Sequence, residues 1–334
     1  MIASVAFRNF KALRNARLSL GRFNLVIGPN GSGKTSLLQA ILRLRLLTKL
    51  PLLPPDAEAD HPAGCPEVTF QFEPPHDALE VVISGVNDPH CDRLQVVPRL
   101  SGEGADDWPG LRSRVLRIRG YVLDHHAMET PAMAKDGAEL SLNGGNLAAV
   151  LATRRERHPE SSAAMIREFC RILPEFCDVG TKPASDGRIA LDLSLVSGER
   201  VSGDDVSQGT LYLLALLLLA HDSDPPSVVC IEELDRGIHP RLLREVRDCL
   251  YRLSHPETAG LQRRPSQVIA TTHSPYLLDL FREHPEDVVI AAKKGCEATF
   301  SRLDENRDLA ALLEGGTLGD MWYAGILGGV PANE

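Results

Sequence analysis

The sequence is poor in the features that mark secreted or metal-bound domains. It has seven cysteines, with no CxxC pair and no grouping of cysteine with histidine. An odd, dispersed set of cysteines is typical of reduced thiols in a cytosolic protein rather than of a disulfide framework. Residues 1–10 alternate like a strand and lack the charged, apolar and cleavage regions of a secretory signal. We therefore expect a cytoplasmic location.

Long apolar segments and an excess of positive charge are also absent. The longest apolar run, residues 211–220, is about half of the roughly 20 residues that cross a bilayer, so it predicts a buried helix and no membrane contact. The formal net charge of -9 excludes a surface that is basic throughout, because neutralising nucleic-acid phosphates requires excess Lys and Arg. Contact with DNA, as a candidate partner, must therefore be local. The basic groups that could provide it lie at residues 112–119, 154–157 and 263–264.

The hydrophobic pattern alternates between short strands and helices, which favours a largely parallel core sheet. Strands are predicted at residues 2–6, 16–20, 23–27, 67–72, 79–84, 93–97, 112–121, 189–196, 228–231, 267–271, 288–292 and 298–303. Helices are predicted at residues 36–47, 146–157, 161–173, 210–220 and 241–253. The three strands between residues 67 and 97 have the pattern of an antiparallel patch.

A glycine-rich loop follows the third predicted strand. Residues 28–35, GPNGSGKT, fit the pattern GxxxxGK[ST] between an apolar strand and a helix. Glycines let successive backbone N–H groups of such a loop face phosphate oxygens, with the lysine on the β- and γ-phosphates and the Thr hydroxyl on Mg²⁺. The sequence therefore predicts a site for ATP with Mg²⁺. Its nucleotide-binding residues are Asn30, Gly31, Ser32, Gly33, Lys34 and Thr35.

Polar residues end two further apolar strands. Residues 227–231 lead into Glu232 and Glu233, and residues 267–271 lead towards His273. Two carboxylates at a strand tip can divide the work, so we assign Glu232 to Mg²⁺ and Glu233 to the attacking water. His273 could sense the γ-phosphate and orient that water. Taken alone, the glutamate pair is equally typical of a solvated strand end, and a single histidine there is more often structural.

With these elements in order, the sequence resembles the ABC-type ATPase heads of the SMC, RecF and OLD group, whose bacterial members are called AAA family ATPases. The segments that carry the resemblance are Phe10-Lys11, GPNGSGKT at 28–35, VSQGTLYLLALLLL at 206–219, CIEELDRGIHP at 230–240 and ATTHSP at 270–275, with weaker ones at 142–151 and 318–329. The resemblance implies an α/β fold, a P-loop NTPase ABC-type head with a parallel core sheet, an antiparallel β lobe and a helical signature lobe. We expect a single ATPase domain over residues 1–334, with a β-rich insertion at 51–120 and the signature lobe at 137–220.

The resemblance also assigns Ser207 and Gly209 to the ABC signature. In the family, the N–H groups of this motif contact the γ-phosphate held by the other protomer, so it implies a homodimer that forms on ATP binding. A Ser and a Gly before a helix suit an anion, although the same segment read alone is an ordinary helix cap. The sequence departs from the family in having SxG rather than LSGGQ, and in having Glu232 where the usual residue is Asp.

A third departure concerns the Q-loop. The segment 123–126 stands at about its place, yet it offers Asp124, His125 and His126 and no glutamine. Residues 235–239 stand where a D-loop would lie.

Heads of this group convert ATP binding into dimer closure and hydrolysis into reopening. No long coiled coil is predicted between residues 50 and 200, and the stretch of about 60 residues after His273 is too short for a Toprim nuclease. We therefore expect an ATP-binding and ATP-hydrolysing switch in DNA repair or anti-phage defence, acting with a separately encoded effector such as a nuclease. One alternative is the nucleotide-binding subunit of an ABC transporter. A third interpretation is a nucleotide-gated binding module with little turnover.

Overall fold

The computed structural model describes residues 1–52, 64–85, 91–98, 107–295, 297–309, 313–314 and 316–328. Three stretches of the insertion expected at 51–120, namely residues 53–63, 86–90 and 99–106, lie outside the described residues. The chain forms two compact units. The first unit contains Met1–Gly120, Pro226–Leu234 and Ser266–Glu334, and the second contains Tyr121–Pro225 and Asp235–Pro265.

The strands are β1 (Ile2–Phe10), β2 (Leu13–Ser19), β3 (Phe23–Ile27), β4 (Glu67–Phe72), β5 (Leu79–Ser84), β6 (Arg93–Pro98), β7 (Ile118–Tyr121), β8 (Ala132–Met133), β9 (Phe176–Pro183), β10 (Arg188–Leu195), β11 (Arg200–Ser202), β12 (Val228–Ile231), β13 (Gln267–Thr272), β14 (Val288–Lys294) and β15 (Glu297–Arg302). The helices are α1 (Lys34–Leu47), α2 (Trp108–Val115), α3 (His125–Glu129), α4 (Leu147–Arg157), α5 (Pro159–Ile172), α6 (Gln208–Ala220), α7 (Leu243–Ser254), α8 (Pro275–Asp279) and α9 (Leu318–Tyr323).

The first unit is built on two sheets. The larger has the strand order β15-β14-β3-β13-β12-β7, in which β14, β3, β13 and β12 run parallel. The smaller is antiparallel, with the order β2-β1-β4-β5-β6. Strands β3 and β12 are buried over their whole length, as expected for parallel strands covered on both faces. The predicted α/β class, with a parallel core sheet and an antiparallel β region, is confirmed.

Helix α1 joins the two sheets of the first unit in one hydrophobic core. Leu37 and Ile41 of α1 are fully buried in the same cluster as Phe70 of the antiparallel sheet and Ile269 of the parallel sheet. Burying each such side chain contributes about 1.5–3 kcal/mol. The helix that begins inside the phosphate loop is therefore anchored from two sides.

The second unit consists of α3 to α7 and an antiparallel sheet in which β10 pairs with β8, β9 and β11. Helix α6 is buried at every position from Gly209 to Ala220, so the prediction that the long apolar run forms a buried helix is confirmed. Within the described ranges, no helix has both the length and the apolar character needed to span a bilayer.

One predicted strand is partly replaced by a helix, and one long strand is absent from the sequence prediction. Residues 112–121 were expected to form one strand, but α2 occupies Trp108–Val115 and only Ile118–Tyr121 is extended. The helix starts because the Asp107 side chain accepts a hydrogen bond from the Gly110 N–H and Pro109 stands in the first turn. Strand β9 was missed because Gly180, Lys182 and Pro183 break its apolar alternation, and its pairing with β10 is what forms it.

A partly buried ion pair fixes the end of α6 against two other helices of the second unit. Glu168 of α5 accepts hydrogen bonds from both terminal nitrogens of Arg252 of α7 and from His221, the residue that caps α6. Burial opposes ionisation of Glu168, but the hydrogen bonds from Arg252 and His221 outweigh it and lower the pKa of the carboxyl to about 2.

Replacing Glu168 with Gln should lower the free energy of unfolding at neutral pH by about 3 kcal/mol, because it leaves the Arg252 guanidinium partly buried without a counter-charge. The pKa of Glu168 is lower in the folded chain than its ordinary value of 4.5. Its stabilisation is therefore present above about pH 4.5 and is lost as the pH falls towards 2. Urea unfolding at pH 7 and pH 4 measures the free energy of unfolding of both chains. The free energy of the Glu168 variant should fall less between pH 7 and pH 4 than that of the original chain.

Glu160→Gln is the matched control, since Glu160 lies on the same helix and is exposed. It should leave the free energy of unfolding within about 0.5 kcal/mol of the original chain. Equal stability of the Glu168 and Glu160 variants would contradict the structural role of the ion pair.

Candidate functional site

The phosphate loop runs from β3 into α1 with two residues in the left-handed region. Gly31 has φ 75° and Gly33 has φ 91°, conformations that a side chain disfavours. Gly28 passes so close to β14 that a Cβ on it would lie 2.3 Å from the Ala291 carbonyl oxygen. The loop therefore needs glycine at these positions, and it leads directly into the N-terminus of a 14-residue helix.

Lys34 is held inside this loop. Its side chain is buried, and its ammonium donates to the carbonyl oxygens of Gly28 at 2.7 Å and Pro29 at 2.9 Å. Burial lowers the pKa of Lys34 to about 8, against the opposing effect of the Glu233 and Glu232 carboxylates. The loop therefore contains the Lys34 ammonium, whose positive charge the two carboxylates only partly neutralise.

The two carboxylates follow β12 as predicted. The Thr35 hydroxyl donates a hydrogen bond to Glu232, which joins the start of α1 to the end of β12. Glu233 has φ 50°, an uncommon conformation for a side chain of its size. It is held there because its N–H donates to the Thr271 hydroxyl at 3.0 Å and the next N–H, of Leu234, donates to the Thr271 carbonyl at 2.9 Å.

His273 lies at the end of β13 and is exposed. The turn around it is fixed on its far side, where the Ser274 N–H donates to the Thr272 hydroxyl at 2.9 Å. Strand pairing sets Ile27 beside Thr272 and Ala270 beside Ile231, so β3, β13 and β12 end at one edge of the sheet. The loop, the carboxylates and the histidine are brought together for that reason.

These residues line one cleft of about 240 Å³ in the first unit. The predicted residues in its wall are Asn30, Gly31, Gly33, Lys34, Thr35, Glu232, Glu233 and His273. Ser32 is fully buried beneath it, and within the part of the chain that the structure describes its hydroxyl has no hydrogen-bond partner. A buried ammonium and an unsatisfied hydroxyl at a helix N-terminus suit a polyphosphate, and a hydroxyl beside a carboxylate suits Mg²⁺.

The predicted signature residues belong to the second unit. Ser207 caps α6, since its hydroxyl oxygen accepts the Thr210 N–H at 3.3 Å. Gly209 lies against Gly237, because a Cβ on Gly209 would be 2.8 Å from the Gly237 carbonyl oxygen. The segment 235–239, expected at the place of a D-loop, is thus packed directly on the start of α6.

Several residues that line the cleft are not among the predicted site residues. Lys11, Ala12, Ser36 and Thr271 line it, and the Lys293 ammonium lies 3.5 Å from the position that a Cβ on Gly31 would take. Lys11 has φ 55° in the turn between β1 and β2, and its only sequence signal was its place in the family resemblance. Lys293 follows Ala291 by two residues on β14, so both face the loop, and nothing in the sequence links them to it.

Five of the arginines considered for DNA contact have structural partners. Arg112 donates to the Thr48 carbonyl oxygen, and Arg155 donates to the Val179 carbonyl oxygen. Arg154 pairs with Asp222, and Arg263 donates to the carbonyl oxygens of Ala220 and Arg252. Arg119 donates to the carbonyl oxygens of Leu116 and Ile118. These contacts explain the five arginines through the fold.

Sequence comparison matches two parts of the chain to ATPase families. Residues 156–279 match the family described as "AAA domain, putative AbiEii toxin, Type IV TA system", and residues 1–50 match the family described as "AAA ATPase domain". No curated protein is significantly similar to the chain in sequence.

Solved structures of SMC head domains share the fold. The head domain from Thermotoga maritima has a TM-score of 0.52 and 13% identity, over 90% of this chain and 98% of that chain. The head with an extended coiled coil from Pyrococcus furiosus, bound to the C-terminal domain of ScpA, has a TM-score of 0.56 and 13% identity over 94% and 98%. The head with a coiled coil and joint from Pyrococcus yayanosii has a TM-score of 0.54 and 11% identity over 94% and 99%.

The matched segments contain the phosphate loop and both carboxylates. At these low identities the solved structures establish the fold alone. The two AAA matches indicate ATP hydrolysis. The chain is therefore an ATPase that has AAA-type sequence in two segments and shares the fold of SMC head domains.

Proposed function

We propose that this ATPase is a molecular switch in which two copies close around bound ATP and reopen after hydrolysis. The observation that carries the proposal is the convergence of Lys34, Thr35, Glu232, Glu233 and His273 on one polar cleft. Because only the triphosphate state supplies a γ-phosphate to both protomers, ATP has the differential affinity needed to favour the closed dimer.

The residues of the cleft divide the chemistry as follows. The loop N–H groups and the Lys34 ammonium hold the β- and γ-phosphates, and Thr35 with Glu232 would hold Mg²⁺. That ion, when bound, neutralises charge that develops on the phosphates. Glu233 polarises the attacking water, and its left-handed backbone, fixed by Thr271, aims the carboxylate. His273 orients the water from the neighbouring strand end.

The dimer uses the second unit of each partner. Ser207 is exposed at the N-terminus of α6, a 13-residue helix whose first N–H groups and partial positive charge suit a phosphate. In the closed dimer, Ser207 and Gly209 of one protomer contact the γ-phosphate held by the other. Gly209 cannot carry a side chain there, because the Gly237 carbonyl oxygen occupies the space.

We place this switch in the cytoplasm, in DNA repair or anti-phage defence, with DNA and a separately encoded effector such as a nuclease as partners. Two findings support this setting. One matched family is described as a putative toxin of a type IV toxin–antitoxin system, and one similar head was solved with a domain of another protein. Co-purification with the products of neighbouring genes tests it. Recovery of a membrane subunit would instead favour the transporter alternative.

Replacing Lys34 with Ala should weaken ATP binding by at least about tenfold, because the phosphates lose a charge-assisted partner worth roughly 1.5–3 kcal/mol. Isothermal titration calorimetry with ATP measures the change, and turnover should disappear. Lys49→Ala is the matched control, since Lys49 is an exposed lysine just beyond the same helix. If the Lys34 variant binds ATP as tightly as the original chain, the assignment of the loop as a phosphate-binding loop is wrong.

The affinity for ATP should fall as the pH rises from 7 to 9. The pKa of Lys34 is lowered to about 8, so the free chain loses this cation in that range, whereas bound phosphates favour the charged form. Calorimetry at pH 8 in buffers of different ionisation enthalpy should therefore show proton uptake on ATP binding. Proton release at that pH would contradict the prediction.

Replacing Glu233 with Gln should keep ATP binding but slow hydrolysis by about 10²–10⁴-fold, because the amide cannot accept a proton from water. Closed dimers should then accumulate with ATP, as measured by light scattering after gel filtration. Glu283→Gln, at an exposed position of the same unit, should hydrolyse ATP normally.

Adding Ser207→Arg to the Glu233 variant should abolish this dimer without changing the ATP affinity of the protomer, since a bulky cation would stand where the partner's phosphate enters. Ser197→Arg, in an exposed turn of the second unit, should leave the dimer intact. A strict monomer in the Glu233 variant with ATP would rule out the sandwich mechanism.

A further inference from the structure

A second group of metal-ligand side chains lies on α3, in the second unit. His125 and His126 open this helix and Glu129 ends it. His125 Nε2 lies 3.5 Å from Glu129 Oε2, and His126 Nδ1 lies 3.2 Å from Glu129 Oε1. One nitrogen of each imidazole therefore faces the same carboxylate.

The backbone of α3 fixes this arrangement. The Asp124 carboxylate accepts the Ala127 N–H at 2.8 Å, and the Asp124 carbonyl accepts the Met128 N–H at 3.0 Å. Met128 is buried and anchors the turn. Glu129 follows His125 by four residues and His126 by three, the spacings at which helical side chains are neighbours. The helix thus presents the two imidazoles on either side of one acid.

The geometry points to a site for a borderline transition-metal dication, with Zn²⁺ as its representative, bound by His125, His126 and Glu129. The three ligand atoms lie within 4.8 Å of one another. Ligands of a tetrahedral Zn²⁺ lie about 2.0–2.2 Å from the ion and so roughly 3.4 Å apart. Rotation of the side chains is therefore sufficient to close them on an ion.

The chemistry of these ligands separates this site from the nucleotide site. Two imidazoles and one carboxylate leave a fourth position for water, as in open zinc sites. Mg²⁺ prefers oxygen ligands, so imidazole nitrogens select against it. A second cluster, His284 with Glu286 and Asp287, offers one imidazole and a buried aspartate, and it serves as a comparison.

Occupancy of this site changes a contact of the signature segment. His125 Nε2 also lies 3.2 Å from the carbonyl oxygen of Val206, the residue before Ser207. That contact needs a proton on Nε2, whereas coordination through Nε2 needs its lone pair, so the two are mutually exclusive. Metal binding therefore releases the Val206 carbonyl, next to the cap of α6. The inference uses only residues of the second unit and does not depend on the proposed ATP cycle.

Zn²⁺ titration of the chelator-treated full chain, in competition with a chromophoric chelator, tests the site. We expect one ion bound at α3, and His126→Ala should weaken its affinity by at least about tenfold. Because the His126 side chain is 85% exposed, its truncation should leave the fold intact, which circular dichroism checks. His284→Ala is the matched control and should not change the affinity of this site.

Hydrogen exchange of residues 206–210 tests the link to α6. Adding Zn²⁺ should speed exchange there in the original chain and not in His126→Ala. No binding at micromolar Zn²⁺, or equal affinity in the original chain and His126→Ala, overturns the site. Unchanged exchange in the zinc-bound chain overturns its link to the signature segment.

Discussion

Holding the Lys34 ammonium within a tight turn of backbone is the constraint on which the first unit depends. Its carbonyl partners come from Gly28 and Pro29, so the loop must curl back on itself before α1 begins. The curl is possible because Gly31 and Gly33 adopt left-handed conformations and Gly28 lies against the backbone of β14. The adjacent strand, rather than the loop alone, therefore shapes the nucleotide cleft.

The parallel sheet also positions the carboxylates and the histidine of the cleft. Strands β3, β13 and β12 lie side by side and end together, so residues more than 200 positions apart meet at one edge. Thr271 links two of these strand ends, since its hydroxyl and its carbonyl both accept N–H groups from the turn that carries Glu233. One buried threonine thus supports the uncommon backbone conformation at the carboxylate.

In the second unit, α6 is buried along its length and is held by polar contacts at its two ends. Its N-terminus is capped by Ser207 and packed on Gly237, and its C-terminus is tied to α5 and α7 through the ion pair of Glu168 with Arg252. Polar contacts at both ends give an otherwise uniform apolar helix a defined register. The contact between His125 and the Val206 carbonyl lies just before this cap.

The sequence by itself determined the phosphate loop, the buried α6, and the polar ends of β12 and β13, because each depends on local pattern: glycine spacing, an unbroken apolar run, and acids directly after a strand. Only the tertiary structure decided the rest. Strand β9 exists through its partner β10, and α2 replaced part of a predicted strand through the Asp107 cap. Strand pairing brings Lys293 close to Gly31. One turn of helix brings Glu129 close to the two histidines. Such neighbours leave no local signal, because the distance between them is set by how the chain folds back and not by the order of its residues.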